Sequence, residues 1–341
     1  MSSSRPVAVV TGGGGFIGSH MVDVLLARDF DVRVIDNLTG GRESNLAHHA
    51  GDARLSTDWK DIRDIEPDDA MFADAKYVFH FAGIGDIVPS IERPVDYMDV
   101  NVQGTVRVLE AARAAGVEKL VYAASSSCYG LADTPTDENH PIRPQYPYAL
   151  SKYQGEQAAF HWHEVYKLPV NSVCIFNAYG TRVRTTGAYG AVFGVFLKQK
   201  LAGKPFTVVG DGSQSRDFVY ASDVASGFLA AAESDVTGER FNLGAGNPQT
   251  VNRLVELIGG DVVYVPKRPG EPDCTYANIT KITEVLGWKQ EVPFEEGVAR
   301  MMAEIEHWQD APLWDPDSIK VATKTWFDFL GPGEVNPAKG A

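Results

Sequence analysis

The sequence predicts an α/β protein, with a doubly wound parallel sheet followed by a smaller α/β region. Three observations carry that prediction. Strand-length apolar runs alternate with stretches of helical periodicity. The runs are apolar throughout, as in strands covered on both faces. The first of them ends in a four-glycine cluster that opens directly into a helical pattern.

In chain order, residues 6–11 read as the first strand and 16–26 as the helix after the glycines. Residues 32–35 form a second strand that ends at Asp36, and 77–81, 120–124 and 170–176 are further strands. Long helical patterns fill 95–115 and 147–166. After Phe176 the rhythm changes: 177–212 read as loop and helix, 241–243 as a short strand and 251–258 as a helix. The expected division is a first domain over 1–176 and a second region over 177–330 that partly returns to the first. Residues 331–341 carry Gly, Pro and charge without pattern and read as a frayed tail.

Composition bounds the partners. With 341 residues and 44% apolar content, the chain can bury a sizeable core. No apolar run approaches the roughly 18 residues needed to span a bilayer, so no membrane partner is expected. The polar start, Met1 to Arg5, does not resemble a secretory leader. A net charge of −14 opposes nucleic acid and anionic membranes, yet leaves room for a small anion held by a few arginines. Cys128, Cys174 and Cys274 have neither metal-ligand spacing nor an even count, so we expect no metal and a reducing, cytoplasmic setting.

Gly12, Gly15 and Gly18 stand three apart between a strand and a helix. That spacing supplies a tight turn, close backbone approach to a pyrophosphate and close helix-to-strand contact, with the helix N-terminus facing the phosphates. Asp36 closes the next strand about twenty residues on, where a carboxylate accepts from ribose hydroxyls and repels a 2′-phosphate. NAD is the cofactor expected; Arg42 nearby keeps NADP as the alternative. Tyr148 and Lys152 lie four apart on one helix face, a spacing that lets an ammonium lower the phenol's pKa. Ser125-Ser126-Ser127 follows a strand at its C-terminal end, where open parallel sheets bind ligands.

Together with Thr11, Phe16, Ile17, Asn37, Asp61, Ile62, His80-Phe81-Ala82-Gly83, Asn101 and Cys128-Tyr129-Gly130, these motifs resemble an extended short-chain dehydrogenase/reductase. More narrowly, the chain is similar to the nucleotide-sugar epimerase/dehydratase branch along nearly its whole length to about Leu330. The resemblance implies a Rossmann-type domain in which Gly12, Gly15, Phe16, Ile17, Gly18, Asp36, Asn37, Asp61, Ile62, Phe81, Ala82, Gly83 and Asn101 hold NAD. It makes Tyr148 the base, Lys152 the holder of the nicotinamide ribose and Ser125 the third catalytic residue. It also implies a nucleotide-sugar substrate met by Ser126, Asn177, Arg216, Arg268 and Thr275. The family's arginine three residues before Asn177 is here Cys174. Two guanidiniums explain how an acidic protein binds a diphosphate.

The branch's 4,6-dehydratases carry an Asp-Glu pair after the catalytic Ser or Thr; here Ser126 and Ser127 stand there, and a hydroxyl cannot replace a carboxyl as acid or base. The resemblance therefore favours a 4-epimerase of a UDP-hexose or UDP-N-acetylhexosamine, with small Thr275 leaving space for an N-acetyl group. A net 4-dehydrogenase or 4-ketoreductase on a UDP-, GDP-, CDP- or dTDP-sugar is the alternative. Relatives pair through helices equivalent to 95–115 and 147–166, which implies a homodimer, with Val102, Val106, Leu109 and Ala158 as compatible apolar positions.

Overall fold

The computed structural model describes residues 5–186, 191–267 and 271–330. One sheet holds seven strands: β1 (Val7–Thr11), β2 (Asp31–Ile35), β3 (Leu55–Asp58), β4 (Ala75–His80), β5 (Lys119–Ser125), β6 (Val170–Ile175) and β7 (Glu239–Leu243). Their spatial order is β7-β6-β5-β4-β1-β2-β3, with every neighbouring pair parallel. Strand order reverses at β1, which pairs with β2 on one side and β4 on the other. The connections leaving β1 and β4 therefore diverge, and a crevice opens at their C-terminal ends.

Four helices cover the sheet: α1 (Phe16–Ala27), α2 (Thr105–Ala115), α3 (Pro147–Tyr166) and α4 (Ala221–Glu233). Met21 and Leu25 of α1 share a core with Phe228 of α4 and with Val10, Phe79 and Phe241 of the strands. On the opposite face Val108 and Leu109 of α2 and Ala159 of α3 pack on Val9, Val78 and Leu120. Neighbours such as Val9 and Val10 thus serve opposite faces, which is why the strands read as unbroken apolar runs. A third core, rich in aromatic rings, joins Tyr179, Phe193, Phe206, Phe218, Phe294 and Trp308.

Several expectations need correction. The pattern over 95–115 is not one regular helix: Pro94–Met98 and α2 flank a wide π turn, Asp99–Gly104. Gly104 lies so close to Ile62 that an added Cβ would come within 2.5 Å of its side chain. The stretch 177–212 also contains a strand, Phe206–Val209, paired parallel with Val262–Val265. β3 carries one apolar residue, Leu55, at the sheet edge, so no apolar run announces it. The short strand at 241–243 begins at Glu239 and joins the main sheet beside β6. Leu109 is fully buried in the core, so it is unavailable to a partner, whereas Val102, Val106 and Ala158 are half-buried. Among the described residues, no helix is long and apolar enough to cross a membrane. The expected tail, 331–341, lies outside the described residues.

Candidate active site

The glycine turn sits at the strand-order reversal. Gly12 adopts φ +72°, and a Cβ there would lie 2.7 Å from the Ala82 backbone nitrogen. At Gly18 a Cβ would fall 2.1 Å from the Gly12 carbonyl oxygen, so only glycine lets α1 start this close to β1. Gly15 is the N-cap of α1, no side chain caps it, and the first turn, with Phe16 and Ile17, carries no acidic residue. The first N–H groups of α1 are therefore free of side-chain acceptors and suit an anion. Asp36, only 7% exposed, accepts from the Gly14 N–H at 3.0 Å and the Leu38 N–H at 2.7 Å. Burial pushes its carboxyl upward, against the pull of those N–H groups. Asn37 Nδ2 donates to Asp61 Oδ2 at 2.7 Å, joining the ends of β2 and β3, and Arg63 holds Asp61 down at about 2. Arg42, the residue that kept NADP open, donates through Nη2 to Thr185 at 2.7 Å.

Across the crevice, β4 delivers Phe81, Ala82 and Gly83. The Phe81 ring packs on Phe228 at 4.5 Å, and the Ala82 N–H donates to Thr11 Oγ1. A buried relay continues from Thr11 Oγ1 to His80 Nδ1 at 2.6 Å and from His80 Nε2 to Thr105 Oγ1 at 2.9 Å. Burial first, and the Lys152 charge second, hold His80 down at about 3, so the relay is neutral. Asn101 sits behind the crevice, where its amide bonds both backbone groups of Ile84 and the Ser151 hydroxyl. It fixes the loop that carries Gly83. A Cβ on Gly83 would lie 2.8 Å from Asn101 Oδ1 and 3.8 Å from Lys152 Nζ, so bare backbone faces the lysine.

The residues present fit a dinucleotide. An uncapped helix start would suit the phosphates, a buried carboxylate with spare lone pairs would suit a ribose, and a desolvated ammonium would suit the second ribose. Ile62, next to Asp61, is buried against Gly104.

Ser125 ends β5, Ser126 opens the following 3-10 turn, and Tyr148 and Lys152 share α3. The Ser125 hydroxyl lies close enough to the Tyr148 phenol to favour its ionised form. At that phenol, burial outweighs the groups that lower its pKa. Burial dominates and raises Tyr148 above its ordinary value, with Asp86 adding to the rise. Lys152 lies 8% exposed, its Nζ 4.5 Å from the Tyr122 ring centroid, and burial lowers it to about 8 against the pull of Glu156. At neutral pH the pair is a neutral phenol beside a buried lysine that keeps most of its charge. Two further rings border Tyr148: Tyr97 edge-on at 6.3 Å and Tyr146 nearly parallel at 6.4 Å. No motif announces either.

On the substrate side, the structure brings Asn177, Thr275 and Arg216 together. Thr275 Oγ1 donates to Asn177 Oδ1, and its N–H donates to the Ser215 carbonyl at 3.1 Å. Arg216 Nη2 donates to Glu271 at 2.8 Å, beside a cleft of about 480 Å³ lined by Val209, Asp211, Gln214 and Lys267. Arg268 lies outside the described residues. Cys174, where the resemblance led us to expect arginine, is fully buried, and on the neighbouring strand Arg240 of β7 pairs with the fully buried Glu156 of α3, with Nε to Oε1 at 2.9 Å.

Residues 8–244 match the profile of the NAD dependent epimerase/dehydratase family. The chain belongs to that family. A UDP-glucose 4-epimerase of Mycolicibacterium smegmatis is 36% identical over 302 residues, covering 86% of this chain and 96% of that protein. The solved UDP-N-acetylglucosamine 4-epimerase of Methanobrevibacter ruminantium, in complex with UDP-N-acetylmuramic acid, superposes with a TM-score of 0.83 at 32% identity. It matches over 88% of this chain and 99% of that one. The UDP-glucuronic acid 4-epimerase of Bacillus cereus, solved with UDP-glucuronic acid and NAD, gives 0.82 at 27% identity over the same shares.

Proposed function

We propose that this protein is an NAD-dependent 4-epimerase of a UDP-hexose or UDP-N-acetylhexosamine, working through a 4-keto sugar. The observation that carries the reading is the Ser125–Tyr148 pair at the mouth of the crevice, followed at 126 and 127 by serines instead of carboxyl groups. When bound, NAD supplies the acceptor for the hydride leaving C4 and the donor that returns it.

The chain's own residues do the rest. Tyr148 takes the proton of the sugar's 4-hydroxyl and gives it back, with Ser125 donating to the same oxygen. Lys152 holds the nicotinamide ribose, and its ammonium favours the phenolate as the proton moves. Gly12, Gly15, Phe16, Ile17 and Gly18 cradle the pyrophosphate; Asp36 and Asn37 face the adenosine ribose; Asp61 and Ile62 border the adenine; and Phe81, Ala82 and Gly83 line the nicotinamide side. Asn101 serves that side by positioning Gly83. Asn177, Arg216 and Arg268 hold the diphosphate, releasing Arg216 from Glu271, while Ser126 and Thr275 border the sugar. Because Ser126 and Ser127 have no carboxyl to expel a hydroxyl, return of hydride to the opposite sugar face is favoured over elimination.

In this reading residues 1–176 are the NAD-binding domain and 177–330 the nucleotide-sugar-binding region. The protein works in the cytoplasm as a homodimer through the helical faces that carry Val102, Val106 and Ala158. Incubating the purified protein with UDP-glucose, UDP-galactose and their N-acetyl counterparts, with no added cofactor, tests the function. NMR should find interconverted 4-epimers and constant absorbance at the reduced-nicotinamide wavelength. Accumulation of a keto-sugar would establish the oxidoreductase alternative instead.

A further inference from the structure

Tyr146 occupies an unusual place for its side chain. It is the N-cap of α3, with φ −152° and ψ 162°, and makes no cap hydrogen bond. Ser, Thr, Asp or Asn at such a position contributes about 1 kcal/mol by accepting from the helix's orphan N–H groups. The helix that carries Tyr148 and Lys152 goes without that contribution, and the large phenol points elsewhere.

Where it points is defined by its neighbours. Its hydroxyl lies near Ser127, two residues beyond Ser125, which acts to favour its ionised form. Its ring plane lies 8° from that of Tyr148. Glu271, the carboxylate that holds Arg216, is close enough to act on the phenol. Tyr146 thus neighbours the proposed proton-transfer residue and lies within electrostatic reach of the carboxylate that holds Arg216, so a hexose bound between Tyr148 and Arg216 would lie against it. From behind, the Trp326 ring tilts against it with centroids 6.3 Å apart. Trp326 belongs to the terminal helix Lys324–Leu330, which is fastened to the short helix Ile87–Glu92 by Thr325 Oγ1 donating to Glu92 at 3.1 Å. Burial lifts the Tyr146 phenol to about 12, so it remains a neutral hydrogen-bonding group at working pH.

Resting on the epimerase reading, we propose that Tyr146, backed by Trp326, is a specificity-determining residue that forms one wall of the sugar subsite. A sugar that must present both faces to the same phenol swings its substituents past this wall, so the ring limits their bulk. The flat face also suits the apolar C–H side of a pyranose, and the hydroxyl reaches its oxygens.

Tyr146→Ser removes the wall and restores a capping side chain, which separates specificity from stability. We expect its kcat/KM ratio for UDP-N-acetylglucosamine over UDP-glucose to rise about 10-fold or more, the scale of enlarging a snug pocket. Its unfolding midpoint should hold or rise, and bound NAD should be unchanged. Trp326→Ala should move the ratio the same way by less, and Tyr146→Phe should raise KM with kcat nearly constant. An unchanged ratio in folded Tyr146→Ser, or unchanged KM in Tyr146→Phe if the serine variant does not fold, overturns the proposal. A parent protein that epimerises neither sugar removes the epimerase reading itself. In that case calorimetric affinities of the two UDP-sugars for parent and Tyr146→Ser decide the wall, and an unchanged affinity ratio sinks it.

Discussion

The two sides of the crevice are built differently. On the dinucleotide side, backbone groups do much of the holding: the turn at 12–18 closes on its own backbone, and the Gly14 and Leu38 N–H groups grip Asp36. On the sugar side, almost every contact joins distant segments. Thr275 meets Asn177, Arg216 meets Glu271, Arg240 reaches Glu156, and Trp326 backs Tyr146. The first side depends on backbone conformations that few residues can adopt. The second depends on side-chain pairs that neighbouring strands and loops happen to bring together. A cofactor that stays the same needs the former; a substrate pocket that varies among relatives is more easily made from the latter.

Four changes would break or sharpen that contrast. The largest effect is expected from Arg240→Met, which leaves Glu156 buried without its guanidinium and should cost about 3–5 kcal/mol in denaturant unfolding. A loss below about 1 kcal/mol would mean that the long-range pair is dispensable. Next, Tyr148→Phe should keep its NAD yet lose about 10²-fold or more in turnover. Near-full activity there would remove the phenol from its role.

Gly18→Ala tests the local side. Its Cβ would press on the Gly12 carbonyl, and the resulting shift should cost about 1–3 kcal/mol and weaken NAD retention after gel filtration. Unchanged retention would show that the turn has more slack than its geometry implies.

The smallest effect is in pH. Lys152 titrates near 8 in the folded protein, below its unfolded value of about 10.4, because burial disfavours the charged form. As pH rises through 8 the folded enzyme loses the ammonium, so kcat/KM should fall about tenfold per unit above it. Between 8 and about 10.4 the unfolded chain binds more protons than the folded one, so this group makes stability rise with pH over the same window. Activity and stability moving together across that range would contradict the assignment.

Sequence alone determined the parts that depend on local geometry. Gly12, Gly15 and Gly18 are needed at their spacing whatever surrounds them, and the apolar runs of β1, β4, β5 and β6 announce a sheet covered on both faces. It also placed Tyr148, Lys152 and Ser125 on the right elements, since four residues make one helical turn and a strand must end somewhere. Tertiary structure alone decided the rest. β3 was hidden because an edge strand with one apolar residue has no pattern to read, and the wide turn at 99–104 because its spacing differs from a helix by one residue. Whether Lys152 or burial governs the Tyr148 phenol depended on how much water the fold removes. That Arg240 would reach Glu156 depended on β7 lying beside β6. Such contacts are set by which segments end up adjacent, and chain order does not encode adjacency between residues so far apart.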